Sequence, residues 1–211
     1  WAPILMGKRP FTAGENVGMP TGTALHDVRR QLFDAAERVL LRDGQQALTS
    51  RAVTTEAGCA KGVLHRHFTD FDAFLAELVE DKITQMYGRS AALRDSAGTG
   101  TVVENVTTAL TDVFSSVAAA IVGLVIFRDG LRARLRRAGR PGLPLAAEAA
   151  AMLGDYLAAE RDLGRIAASA DTGTLGLTLI GSGHLLAAGE PAVDREAVRK
   201  VVATVLAGVV R

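Results

Sequence analysis

From Leu25 onward, apolar side chains recur every three or four positions: Val28, Leu32, Ala35/Ala36 and Val39/Leu40. That period places them on one face of an α-helix, with Asp27 the expected cap and Gly44 the expected stop. A shorter helix is expected from a Thr49 or Ser50 cap to about Ala57, then a turn at Gly58 and a third short helix over 60–67. The Thr69-x-x-Asp72 pair reads as a capping box for a longer helix striped by Phe71, Phe74/Leu75, Leu78/Val79, Ile83 and Met86.

Residues 95–100 form the best internal linker. Beyond it, Val103, Val106, Leu110, Val113/Phe114, Val117 and Ile121 predict one helix, and Phe127, Leu131 and Leu135 another, ending near Gly139-Arg140-Pro141-Gly142. Pro144 opens a long helix with Ala147, Ala151, Met152, Tyr156 and Leu157 expected on its buried side. Helices over 172–188 and 194–210 follow, separated by Gly189-Glu190-Pro191. The prediction is an all-α chain of about nine helices. Composition agrees: 36 Ala and only 5% aromatics favour helix over sheet. At 211 residues, 48% hydrophobic and 22% charged, the chain can bury a core and is not disordered.

Cys59 stands alone, so no internal disulfide and no familiar zinc site can be assembled. Residues 1–24 hold Pro, Gly and charge in place of a secretory signal's apolar run, and read as a flexible arm. No stretch reaches the ~18 apolar residues of a membrane span, so a soluble, cytoplasmic protein is expected, with no membrane partner. The net charge of +1 becomes informative only locally: within 51–69, Glu56 is the one acid against Arg51, Lys61 and Arg66, with His65 and His67 beside them. Such a patch suits a polyanion.

Residues 49–68 therefore lay out a helix-turn-helix, in which Val53, Ala57, Leu64 and Phe68 face inward while Lys61, His65 and Arg66 face out. The run Thr49-Ser50, Ala57-Gly58 and Lys61-Gly62-Val63-Leu64-His65-Arg66-His67-Phe68 resembles the TetR (tetracycline-repressor) family of transcriptional regulators over about residues 27–80. The resemblance implies that Lys61 and His67 contact phosphates and that Gly62 admits the DNA backbone closely. Arg51 and Arg66 are the candidates for reading bases, since Arg pairs bidentately with guanine. Val63 suits a thymine methyl, and Thr49 and Ser50 suit phosphate. Three positions depart from the family pattern: Ala60 replaces a capping Ser or Thr, His65 a Tyr, and Phe71 a Lys. The first costs about 1 kcal/mol of capping, and the last removes a phosphate contact.

The resemblance further implies a carboxyl-terminal unit that binds a small molecule and dimerises: an arm over 1–24, a DNA-binding unit over 25–70, and a ligand and dimer unit over 71–211 whose first helix, 71–88, connects the two. For a ligand cavity the candidates are Phe114, Phe127, Met152, Tyr156 and His184, although core filling explains the apolar ones and a satisfied buried imidazole explains His184. For a dimer interface they are Gly173, Gly176, Gly183 and Ala187, small enough for close helix approach, with Val198, Val202, Val205 and Val209 on the last helix. Arg128, Arg132 and Arg136 form a stripe opposed locally only by Asp129, readable as a solvated face or an attractor of acidic groups.

The function expected is a dimeric repressor bound to a palindromic double-stranded DNA operator and released by a small-molecule ligand. The alternative is a helical small-molecule-binding or scaffolding dimer without DNA binding. No enzyme is expected, for the chain has four His, no phosphate loop and no nucleophile elbow. No catalytic residue, metal or cofactor is assigned.

Overall fold

Most helices in this chain begin where a side-chain oxygen accepts the backbone N–H groups that the first turn leaves free. The computed structural model describes residues 22–188 and 193–211, with side chains from Asp27 onward. Among them are ten α-helices: α1 (Gly22–Asp43), α2 (Ser50–Glu56), α3 (Val63–His67), α4 (Phe71–Asp95), α5 (Val102–Phe114), α6 (Val117–Phe127), α7 (Asp129–Arg137), α8 (Pro144–Asp162), α9 (Thr172–Ala187) and α10 (Arg195–Val205). Residues 1–21 of the arm expected over 1–24, and the Gly189-Glu190-Pro191 break, lie outside the described residues, whereas 22–24 are the first turn of α1.

Several helix ends differ from expectation, each for a local reason. Asp27 lies inside α1 and so caps nothing, while Gly44 does end that helix, at φ 78°. Thr49 caps α2, its Oγ1 accepting from Ala52 N at 3.1 Å. Only 63–67 of the expected third helix are α-helical; Ala60 offers no hydroxyl, and Val63 N bonds back to Ala60 O in a turn instead. Asp70, not Thr69, caps α4, accepting from Ala73 N at 2.7 Å. The helix expected across 103–121 breaks at Ser115-Ser116, where Ser116 caps α6, and extended Arg128 separates α6 from α7. Those two breaks raise the count from nine to ten. The last helix stops at Val205 because the following residues turn back, Val210 forming an antiparallel bridge with Ile166. On α8, Ala147 and Ala151 are exposed, and the buried stripe runs through Leu145, Ala149, Met152, Leu153, Tyr156 and Leu157.

The packing order positions the two regions of interest. α1, α2, α3 and the start of α4 meet around the rings of Phe33, Phe68, Phe71 and Phe74, whose centroids are 5.1–6.0 Å apart. α8 packs against α9 and α4, α10 against α5 and α9, and α6 against α1. Among the described residues no single helix is long and apolar enough to cross a membrane; α5 and α6 would suffice together, but they bend by 56° at their break.

Candidate nucleic-acid interface and ligand cavity

The inward face of α2 and α3 is the expected one: Val53, Ala57, Leu64 and Phe68 are all buried. Gln31 donates to Ala57 O at 2.7 Å, fixing the end of α2 on α1. The Arg29 guanidinium lies 4.6 Å above the Phe68 ring. Cations divide sharply between the two sides of this unit. Those of α1 are matched: Arg29 by Glu77, Arg30 by Asp34 and Asp81, and both Arg38 and Arg42 by Glu56, at 2.7 and 2.9 Å. Hydrogen bonds from Arg38 and Arg42 hold the Glu56 carboxyl below the ordinary glutamate range. The one acid of residues 51–69 is thus turned toward α1. Arg51, Lys61 and Arg66 are exposed and form no ion pair among the described residues, and His65 is exposed beside them. The surface offered to solvent is positive and uncompensated.

A second feature lies between α4, α5, α6, α8 and α9: a cavity of about 240 Å³ lined by Met86, Phe114, Ala118, Val122, Ala149, Ile180, His184 and their neighbours. Its α6 wall continues to Gly123, where an added Cβ would stand 2.9 Å from Gln45 Oε1, in the turn that links α1 to α2. α7 is clamped to the start of α4. Arg128 donates to Asp72 at 3.0 Å, Arg134 to the capping Asp70 at 2.5 Å, and Arg140 to Glu80 at 3.2 Å and Glu148 at 3.1 Å. Half of the arginine run is therefore a clamp; Arg136 and Arg137 remain exposed, and Arg132 bonds locally to Asp129 and Ile126 O.

Residues 32–78 match the family model described as bacterial regulatory proteins, tetR family. The HTH-type transcriptional regulator PksA of Bacillus subtilis (strain 168) is 34% identical over 70 residues, 32% of this chain; the match spans about a third of that relative's length (34%). Over this segment the chain is similar to the tetR family. Solved structures show the same fold. Reduced NemR of E. coli superposes with a TM-score of 0.68 at 17% identity, covering 88% of this chain and 98% of that one. FadR of Bacillus subtilis, in complex with stearoyl-CoA, superposes with a TM-score of 0.62 at 17% identity, over 85% and 98%.

Against the tetR-family pattern, Thr49, Arg51, Ala60, Lys61, Gly62, His65 and Arg66 are exposed and Ser50 is half-buried, along α2, the turn after it and α3. Lys61 and Gly62 belong to the turn before α3 instead of the helix, and Val63 and His67 are half-buried. The Phe71 departure has a structural use, for its ring stacks on Phe74 and receives Arg128 at 5.3 Å. Of the cavity candidates, Phe114 and His184 line it, and His184 is exposed at its mouth instead of buried. Met152 faces a separate, more polar groove of about 570 Å³ with Arg89, Asn105 and Asp112. Tyr156 lines neither of these two: it is wholly buried, its hydroxyl donating to Glu160 Oε1 at 2.6 Å and accepting from Asn105 at 2.9 Å. Phe127 is 71% exposed on an outer groove. Of the interface candidates, Gly176 is buried against the Ala150 carbonyl and Gly183 against the Phe114 ring. Val198 and Val202 are buried as well, on the helix that packs against α5 and α9. These four are spent inside the chain. Gly173 is exposed, and Ala187, Val205 and Val209 are half-buried. The free face of α9 carries Leu177 and Leu185, 63% and 78% exposed, which periodicity alone did not single out.

Proposed function

We propose that this chain is a dimeric, operator-binding transcriptional repressor of the cytoplasm, released from double-stranded DNA by a small molecule. The observation that carries the reading is the unpaired, exposed cation set Arg51 on α2, Lys61 in the turn and Arg66 on α3, while every arginine of α1 is neutralised. Residues 25–70 form the DNA-binding unit and 71–211 the ligand and dimer unit, joined by α4. Lys61, His67, Thr49 and Ser50 hold phosphates; Arg51 and Arg66 read base edges, with Val63 against a thymine methyl. A second copy meets the outer face of α9 and sets two α3 helices one DNA turn, roughly 34–36 Å, apart on a palindrome.

The guest enters the cavity of about 240 Å³ and acts through α6, whose Gly123 abuts Gln45, and through α7, clamped to the start of α4. A 100-fold loss of operator binding requires about 2.7 kcal/mol of coupling. Fluorescence anisotropy with the chain's own upstream DNA across a salt series tests the reading. A salt-dependent, sequence-selective complex is expected. Lys61→Ala should weaken all sequences alike and reduce the log–log salt slope by about 1, whereas Arg66→Ala should erase roughly 1–3 kcal/mol of base discrimination. No complex at any salt concentration would leave a small-molecule-binding or scaffolding dimer as the function.

A further inference from the structure

The void between α6 and α8 exists because small residues stand where larger ones would close it: Ala118 and Ala119 on α6, Ala146 and Ala149 on α8, with Gly181 on α9. Of its fourteen lining residues, His184 is the one with a polar side chain, and no Lys, Arg, Asp or Glu lines the wall. From this chemistry we infer that the cavity takes a compact, uncharged guest, with an apolar body inside and a single hydrogen-bonding group at His184. The inference rests on the ligand-released reading above and narrows it to a class of guest.

An ion moved into such a wall loses its hydration with no partner to replace it, which costs far more than the burial of its carbon skeleton returns. Size narrows the class further. A cavity of about 150 Å³ holds benzene, so about 240 Å³ has room for two fused rings but not for a long acyl chain or a nucleotide. Orientation follows from the mouth. His184 is exposed there, its ring 6.3 Å from that of Phe114, and both residues also line the outer groove. The polar end of the guest therefore stays at the opening, and its rings press on α6.

Three congeners of one shape test this: 2-naphthol, 2-naphthoate and 2-naphthylmethylammonium, titrated calorimetrically into the full chain. The naphthol should bind saturably and the two ions at least about 30-fold more weakly. Gly181→Leu grows into open space, since a Cβ there meets nothing within 4 Å, and Ala119→Leu fills the cavity from α6. Both variants, verified as folded by thermal melting, should lose at least about 10-fold in naphthol affinity. His184→Ala should weaken naphthol about 5-fold and leave naphthalene unchanged.

Failure of naphthol to bind, an ion binding as tightly as naphthol, or full naphthol affinity in both filled variants would overturn the class of guest. Should both filled variants unfold, the ion comparison on the parent chain still decides. An operator-release assay keeps the two proposals apart. Naphthol that binds without releasing DNA leaves the guest class standing and removes ligand release; an ion that binds tightly and releases DNA does the reverse.

Discussion

Glu160→Ala is expected to lower the melting temperature by about 6–12 °C, corresponding to about 3 kcal/mol in a chain of this length. Glu160 is wholly buried on α8, where one carboxylate serves three partners. Its Oε1 accepts the Tyr156 hydroxyl at 2.6 Å and its Oε2 accepts Gly98 N at 3.2 Å. Arg165 Nη1 also lies 3.2 Å from Oε2, as an ion pair without hydrogen-bond alignment. Arg165 in turn donates to Gly100 O at 2.7 Å, and its own carbonyl accepts Arg211 N at 3.0 Å. The group thus binds α8 to the loop between α4 and α5 and to the carboxyl-terminal residues.

Removing the carboxylate strands a buried hydroxyl and a loop N–H together, so the cost exceeds that of one hydrogen bond. Tyr156→Phe should cost less, about 1–3 kcal/mol, because Glu160 keeps Gly98 and Arg165. Burial, reinforced by the hydrogen bond to Glu160, pushes the Tyr156 hydroxyl well above its ordinary range. The stability tied to that proton is complete below about pH 10 and is lost as pH rises toward the folded value, because the unfolded chain ionises first. Chemical denaturation from pH 8 to 11 should show that decline in the parent chain and its reduction in Tyr156→Phe. Equal melting temperatures for Glu160→Ala and the parent would show that the network contributes nothing.

Much of the helix-turn-helix was legible because its signals are local. Thr49 caps, Gly58 turns, and Val53, Ala57, Leu64 and Phe68 recur at the spacing that seats one helix on another. Where local signals competed, boundaries moved: Asp70 outdid its neighbour Thr69 as a cap, and Ser116 broke what the apolar period alone made continuous. The carboxyl-terminal sites were less legible for a different reason. A void is a property of five helices at once, so Met86, Val122, Ala149 and Ile180, which line it, carry the same pattern as residues that fill a core. Tyr156 and Met152 occupy neighbouring stripe positions on α8, yet one joins a hydrogen-bond network and the other faces a polar groove. The arginine run could not be read from its neighbours in sequence, because Asp70, Asp72 and Glu80, its partners, lie more than fifty positions away.

Gly176→Ala should be the most destabilising single-methyl addition on α9, by about 3 kcal/mol, again lowering the melting temperature by about 6–12 °C. Helix propensity alone predicts the opposite sign, a gain of about 0.5–1 kcal/mol for replacing Gly by Ala inside a helix. Packing decides. A Cβ at Gly176 would fall inside the contact distance of the Ala150 carbonyl oxygen and 3.1 Å from Gly154 N, both backbone atoms of α8 that no rotamer change can move aside. Gly154 is the reciprocal partner, where a Cβ would meet Thr172 O at 3.3 Å. The two glycines let α8 and α9 approach, and their separation would shift the α8 and α9 walls of the cavity along with the outer face of α9. Gly181→Ala on the same helix meets nothing within 4 Å and should be neutral or stabilising, which isolates packing from propensity. Leu177→Glu completes the comparison. Its side chain is 63% exposed, so the monomer should melt as before, while the dependence of melting temperature on protein concentration, which self-association through this face would produce, should disappear. A Gly176→Ala chain as stable as its parent would mean that α8 and α9 are not in the close contact described, and the cavity they help enclose would lose its basis.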